Sequence, residues 1–190
     1  MSWLVSSDPR LSHAGADQAQ KRPFPRCLRI LASMVRDLRN AVSNQPDRLE
    51  PLALLWARYA SEDNDNVVVA VAVQPFAADA YVRGPNGANF DVNWLMAAMN
   101  VAGEANAGTI ICHQHAHAGK PAFSSVDNKT NEQIMAKQPI VSPWLPYGAM
   151  VLSNDDFHAV MACRNGLQEF DVRVVLGYSP NLRVRRRRSD

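Results

Sequence analysis

The stretch TIICHQHAHAGKPAFSSVD, residues 109–127, joins a short apolar run to a cluster of histidines, serines and one aspartate. The apolar run 109–112 is typical of a buried strand, and strand side chains alternate between two faces. His115 and His117 therefore point to the same face and can both reach one metal ion. With Asp127 as a third ligand, a fourth tetrahedral position is left for water, as in a catalytic zinc site.

The other polar residues of this stretch have simpler alternative roles. His113 shares the predicted strand face, and we interpret it as a side chain that orients a ligand or fills the strand start. Asp127 is also placed to cap the N-terminus of a following helix, alone or in addition to a ligand role. Ser124 has no positioned base, but beside a metal its hydroxyl can donate to an oxyanion. The alternative for Ser124 is a turn serine that bonds the backbone.

Length and composition predict one globular domain. The 190 residues suffice for a single core, and 47% of them are hydrophobic, an ordinary value. No apolar run approaches the roughly 18 residues of a membrane span, and residues 1–25 lack the apolar region of a signal peptide. We therefore expect a cytoplasmic protein. Three distant cysteines form no C-x-x-C pattern, so neither a disulfide framework nor a thiolate zinc site is predicted.

The net charge of +2 includes a run of four arginines, Arg185–Arg188. This run either contacts nucleic acid or an acidic partner, or forms a solvated tail that aids solubility. No basic stripe with interleaved aromatic residues occurs elsewhere, so nucleic-acid binding is not expected. We divide the chain into a poorly ordered segment 1–25, a catalytic domain 26–178 and a basic tail 179–190.

Hydrophobic periodicity predicts strands mixed with helices. Helices are expected over 27–42, 92–105 and 128–137. Strands are expected over 52–59, 67–73, 109–115, 148–153, 157–163 and 170–176. Asp91 is placed to cap the second helix, and Asn165-Gly166 is typical of a hairpin turn between the last two strands. This pattern predicts an α/β domain with a mixed β-sheet flanked by helices.

A site that activates water also needs a carboxylate that takes a proton and later gives it to the leaving amine. The upstream candidates are Glu50, Glu62 and Glu104. Glu62 lies in a hydrophilic turn and Glu104 near a helix end, so both are expected at the surface. Glu50 directly precedes the predicted strand 52–59, where it can face a neighbouring strand end. Position alone leaves its role open.

These residues resemble the signature of the JAMM (JAB/MPN) zinc metalloproteases, which is an upstream Glu, then His-x-His-Pro, then Ser-x-x-Asp. The matching residues are Glu50, the string His115-Ala-His117-Ala118 and the string Ser124-Ser-Val-Asp127. The second histidine and the aspartate are one residue closer than in many members. The resemblance covers residues 27–176.

The resemblance implies one zinc ion per chain, bound by His115, His117 and Asp127. It implies Glu50 as the general acid and base and Ser124 as the oxyanion stabiliser. The implied fold is the helix-flanked mixed sheet of the JAB/MPN and cytidine-deaminase-like architecture.

The resemblance also implies a substrate class. Family members cleave after the C-terminus of ubiquitin or ubiquitin-like proteins, and bacterial members occur with activating and conjugating enzymes, some in antiphage defence. The segments 78–89 and 137–147 match the loops that hold the substrate tail. Trp144 and Tyr147 are candidate substrate contacts, with core or loop-anchoring roles as the alternative.

The sequence thus predicts a zinc isopeptidase that removes a ubiquitin-like protein from conjugates or processes its precursor. One alternative is another His-x-His metallohydrolase, which usually needs further downstream ligands, whereas only His158 follows. The other alternative is a non-catalytic scaffold of the same fold that acts through partner binding.

Overall fold

Seven of the described strands pair side by side until the last meets the first, so the sheet closes into a barrel. The computed structural model describes Pro25 and residues 27–43, 51–63, 65–84, 87–115, 117–135, 144–163 and 166–184. The strands are β1 (Cys27–Leu31), β2 (Leu52–Glu62), β3 (Asp65–Pro75), β4 (Tyr81–Gly84), β5 (Gly87–Phe90), β6 (Gly108–Gln114), β7 (Tyr147–Leu152), β8 (Phe157–Cys163), β9 (Gly166–Val175) and β10 (Arg183–Val184). The helices are α1 (Ala32–Ser43), α2 (Val92–Glu104) and α3 (Ser125–Met135).

The barrel order is β2-β3-β1-β9-β8-β7-β6, and β6 pairs back with β2. This closing pair is antiparallel and runs from Leu52 opposite His113 to Ala57 opposite Gly108. The β1–β3, β1–β9 and β6–β7 pairs are parallel. The register of β2 against β3 shifts between Trp56 and Ala57, and such a bulge bends a strand and favours closure.

The predicted α/β fold, a mixed sheet flanked by helices of the JAB/MPN kind, is wrong because the sheet closes on itself. One buried cluster combines residues from all seven barrel strands with Leu38, Ala41 and Val42 of α1. Helix α1 therefore packs its apolar side against the barrel core, while its opposite side, with Arg36, Asp37 and Asn40, is exposed. Its apolar stripe is what the inward-facing strand residues pack against.

The predicted helix over 27–42 is wrong in its first part. Residues Cys27–Leu31 form β1, and the helix begins only at Ala32. Strand β1 pairs in parallel with β3 on one side and β9 on the other. A short apolar run fits a buried strand as well as a helix turn, and here pairing on both edges decides for the strand.

A second buried cluster covers the outer face of the barrel near β2 and β6. Leu52 and Leu54 of β2 pack there against Leu95 and Met99 of α2. The predicted cap of α2 is confirmed, since Asp91 accepts a hydrogen bond from the backbone N–H of Asn93 at 2.8 Å. Alternation along β2 thus divides its side chains between the barrel interior and this outer cluster.

Several other predicted elements are confirmed. The strands predicted over 52–59, 67–73 and 157–163 lie within β2, β3 and β8. Cys163 pairs with Gly166, so β8 and β9 form the predicted hairpin, but Gly166 is the first residue of β9 and residues 164 and 165 are not described. The segment expected to hold a substrate forms a small hairpin, β4–β5, where residues 85 and 86 are not described.

Other predictions fall on residues outside the described part of the chain. They concern Glu50, nearly all of the segment 1–25, residues 136–143 and Arg185–Arg188. Beyond residue 178, where we expected the domain to end, β10 pairs with β2 at Ala60 and Ser61. Of the helices that the structure describes, none has the length and apolar character needed to cross a membrane.

Gly108 allows a close approach between β6 and the residue before β7. A Cβ atom at Gly108 would lie 1.7 Å from the carbonyl oxygen of Pro146. Because backbone atoms cannot move aside cheaply, we expect Gly108→Ala to lower the free energy of unfolding by about 1–3 kcal/mol. Urea unfolding measures this loss. Gly177→Ala is the matched control, since a Cβ there meets nothing within 4 Å, and equal effects of the two variants would contradict the prediction.

Candidate metal centre

His113 and His115 come from the end of β6 and share one face of the sheet. Cys112 belongs to the barrel interior, so alternation turns His113 to the outer face. His113 is 6% exposed and lies between Leu52 of β2 and Val151 of β7. The backbone N–H of His115 donates to the carbonyl of Leu152 at 2.8 Å, which extends the β6–β7 pairing past Gln114.

Asp127 comes from the first turn of α3, where Ser124 and Asp127 cap the helix reciprocally. The Ser124 N–H donates to Asp127 Oδ2 at 2.8 Å, and the Asp127 N–H donates to Ser124 Oγ at 3.1 Å. This is a capping box, in which the cap is Ser124 and Asp127 is the third helical residue. The alternative of Asp127 as the N-cap is therefore wrong, because α3 begins at Ser125 rather than Asn128.

The two histidines and the aspartate meet beside the barrel. One potential ligand atom from each of His113, His115 and Asp127 lies within 4.8 Å of the other two. His113 Nε2 is 3.6 Å from Asp127 Oδ2, and the two imidazole rings are 5.0 Å apart. Two ligands of one tetrahedral zinc ion are about 3.4 Å apart, given bonds of about 2.0–2.1 Å. The three residues could therefore bind a metal ion.

The chemistry of the three donors also fits a cation. His113 Nε2 is buried and, within the described residues, has no hydrogen-bond partner. A buried polar atom without a partner costs free energy, and a metal ion between His113 and Asp127 would remove that cost. Two imidazoles and one carboxylate are ligands that zinc accepts.

Asp127 is held in its ionised form. Partial burial acts to raise the pKa of its carboxyl group, but the nearby His113 ring and the hydrogen bonds from Ser124 outweigh it. Together they hold the pKa of Asp127 below the usual range of an aspartate. A carboxylate ligand must be deprotonated, so Asp127 is ready to bind a cation at neutral pH.

His117, the second predicted ligand, lies outside the group of three. Its ring is exposed and 5.7 Å from the His115 ring, and its Nδ1 is 3.0 Å from the Ala118 carbonyl oxygen. Strand β6 ends at Gln114, so the alternation that aligns His113 with His115 does not extend to His117. Strand alternation also places the residue two positions before His115 on the same face, and this is the signal that points to His113.

The remaining predicted residues have different surroundings. Tyr147 is 5% exposed and packs in the outer cluster, which matches its core-anchoring alternative, while Trp144 is 51% exposed. Glu104 is exposed, as the sequence predicts. The same prediction is wrong for Glu62, which is buried and forms an ion pair with Arg29. Glu50 is not described, although β2 begins two residues later at Leu52, opposite His113.

Sequence reasoning also missed the loop that follows β7. Ser153 and Asp155 of this loop both hydrogen-bond to Gly119, which lies in the segment between the histidines and α3. The run Ser-Asn-Asp-Asp over 153–156 is typical of a turn. Nothing in its composition indicates the segment that it contacts.

No known family model and no curated protein sequence matches this chain. Among solved structures, the chain is similar to the solution structure of protein DSY2949 from Desulfitobacterium hafniense, at 15% sequence identity and a TM-score of 0.45. The match covers 78% of this chain and 92% of that chain.

Proposed function

We propose that this protein is a zinc metallopeptidase that cleaves after the C-terminus of a ubiquitin-like protein, either to release it from a target or to process its precursor. The observation that carries the proposal is the group His113, His115 and Asp127, whose ligand atoms lie within 4.8 Å of one another. The resemblance of Ser124-x-x-Asp127 and the nearby histidines to the JAMM signature supports the substrate class. A closed barrel does not decide against it, because function depends on the site rather than the fold.

Zinc is the metal that we propose for this group, one ion per chain. Bound there, it would supply Lewis-acid polarisation of the scissile carbonyl group. His113, His115 and Asp127 are the proposed ligands, with His117 as the sequence-based alternative to His113. Two histidines and one carboxylate also bind Fe(II) in oxygenases, so the metal has to be identified by elemental analysis.

Glu50 is the proposed general base. In the sequence it stands two positions before Leu52, the first residue of β2. Leu52 is the register partner of His113, and its N–H donates to the buried Tyr81 hydroxyl at 2.9 Å. The proposed role of the Glu50 carboxylate is to take a proton from the attacking water and return it to the leaving amine.

Ser124 is the proposed oxyanion stabiliser. Its Oγ accepts the hydrogen bond from the Asp127 N–H, and Ser124 is exposed. The same hydroxyl helps to lower the pKa of Asp127, so it would turn from that carboxylate to donate to an oxyanion. The capping box ties Ser124 to Asp127, which supports a role for the Ser124 hydroxyl beside the group of three. In the proposed reaction, negative charge develops there on the scissile carbonyl oxygen.

The proposed partners follow from this reaction. They are a ubiquitin-like protein and its conjugates, with activating and conjugating enzymes of the same pathway, and the proposed setting is a bacterial antiphage pathway in the cytoplasm. An extended C-terminal tail is the proposed substrate segment. Trp144, half exposed, is retained as a candidate contact for it, whereas the burial of Tyr147 argues for a core role.

The first test is the metal content per chain of the purified protein, beside Asp127→Ala. We expect about one zinc per chain in the wild type and little in the variant, because a ligand is lost. Ser124→Ala is the matched control for zinc content, since it removes the Oγ that accepts from the Asp127 N–H but leaves all three ligands. Iron in place of zinc, or equal zinc in wild type and Asp127→Ala, would contradict the proposed centre.

The second test is cleavage of fusions in which a ubiquitin-like protein precedes a reporter. The proposal predicts cleavage after the last ubiquitin-like residue, loss of cleavage with a chelator, and recovery on addition of zinc. A zinc-loaded protein that leaves every such fusion intact would favour the scaffold alternative. Activity on phosphodiesters alone would favour another metallohydrolase.

A further inference from the structure

The loop between β7 and β8, residues 153–156, fastens the chain that connects the two histidines to α3. Beyond the end of the β6–β7 pairing, the Asn154 N–H donates to the His117 carbonyl at 3.0 Å. Ser153 Oγ donates to the Gly119 carbonyl at 2.6 Å, and the Gly119 N–H donates to Asp155 Oδ1 at 2.8 Å. Three hydrogen bonds therefore hold residues 117–119 against this loop.

Ser153 is the buried centre of the contact. It is 0% exposed, and its Oγ accepts from the Asp156 N–H at 3.1 Å while it donates to Gly119. Arg39 of α1 donates to the Ser153 carbonyl at 2.7 Å. The loop is therefore tied to α1, which packs on the barrel core, and this contact supports Gly119.

Asp155 holds the same glycine from the exposed side. The backbone N–H of Gly119 is the main cause that lowers the pKa of the Asp155 carboxyl group. Gly119 has a φ of 88°, where glycine is strongly favoured, so the chain turns sharply at the point where both loop residues bind it. The Gly119 N–H is thus bound by Asp155 and the Gly119 carbonyl by Ser153.

This support bears on the metal ligands because they come from two different elements. His113 belongs to β6 and His115 directly follows its end, whereas Asp127 belongs to α3 at the far end of the connection. The same connection carries Phe123, whose ring lies 6.0 Å from that of His113. The path of the connection sets where α3 begins, and hence where Asp127 stands relative to the histidines.

We infer that Ser153 and Asp155 are positioning residues for the group His113, His115 and Asp127, acting through Gly119. The inference rests on the metal binding in the proposed function. Groups that orient ligands without touching the metal typically change metal affinity about 10- to 100-fold when removed. Since these two act through the backbone, an effect of about tenfold is expected for each.

The experiment compares Asp155→Ala, Asp155→Asn and Ser153→Ala with wild type. Zinc dissociation constants are measured by competition with a chromophoric chelator, and ligand geometry is read from the visible absorption of the Co²⁺-loaded protein. Asp155→Ala and Ser153→Ala are expected to weaken zinc binding about tenfold and to change the Co²⁺ spectrum. Asp155→Asn retains an acceptor oxygen for the Gly119 N–H and is expected to restore both.

Asp171→Ala removes another exposed carboxylate, on β9, and serves as the matched control. Asp155 is exposed, so its variants are expected to fold even if Ser153→Ala does not. Wild-type affinity and spectrum in folded Asp155→Ala would overturn the inference while the metal centre stands. A wild-type protein that binds neither Zn²⁺ nor Co²⁺ would overturn the metal centre and this inference with it.

Discussion

His113→Gln is expected to abolish tight zinc binding, whereas His117→Gln is expected to leave the zinc affinity near the wild-type value. His113 Nε2 is buried and faces Asp127, while the His117 ring is exposed and outside the group of three. Loss of a metal ligand is expected to weaken zinc binding by more than the about 10- to 100-fold change caused by removing a group that only orients a ligand. Chelator competition on both variants measures the two affinities.

Each outcome of this comparison assigns a ligand set. Loss of binding in His117→Gln alone would restore the sequence-based pair His115 and His117 and overturn the pair favoured by the geometry. His115→Gln is common to both assignments and is expected to lose zinc in either case. Because His113 is buried, circular dichroism and the melting temperature of the metal-free variants show whether they fold before affinities are compared.

Replacing Glu50 by alanine is expected to keep zinc and to lower kcat for the fusion substrate by about 10²- to 10⁴-fold, the usual contribution of a general acid–base group. The physical reason is that the variant lacks the proposed acceptor for the proton of the attacking water. Steady-state kinetics and zinc content on the same preparation test this directly. KM is expected to change little, because Glu50 acts on the reacting water rather than on the substrate tail.

Two further variants make the Glu50 result specific. Glu50→Gln retains the size of the side chain without a basic oxygen and is expected to be as inactive as Glu50→Ala. Asp47→Ala removes a carboxylate from the same segment and is expected to cleave normally. Normal cleavage by Glu50→Ala would show that the base is another residue, and loss of zinc from it would indicate a ligand instead.

Local elements of this fold were predictable where the signal is local. The β-branched alternation of β3, the apolar start of β2 and the Asp91 cap of α2 need only neighbouring residues. Strand β1 was not predictable in this way, because the apolar pattern of its five residues also fits a helix. Pairing with distant strands decides between strand and helix. Closure of the barrel depends on the β2–β6 register, which no periodicity encodes.

The candidate site, too, could be predicted from the sequence only in part. The residue types and the Ser-x-x-Asp spacing pointed to Asp127 and His115, which the structure brings together. The choice between His113 and His117 depended on whether β6 ends at Gln114 or continues, and strand ends are set by pairing partners rather than by the strand itself. The contact of Ser153 and Asp155 with Gly119 joins distant parts of the chain, so composition alone could not reveal it.

The position of β1 between β3 and β9 has a consequence for how the chain folds during synthesis. Cys27 pairs with Asp171, so the barrel cannot close until almost the whole described chain has left the ribosome. Until then the apolar stripe of α1 lacks part of its enclosure, and pairings between such distant residues form slowly. The nascent chain thus exposes a strand edge and an apolar helix face until β9 has been synthesised, a state prone to aggregation and suited to chaperone binding.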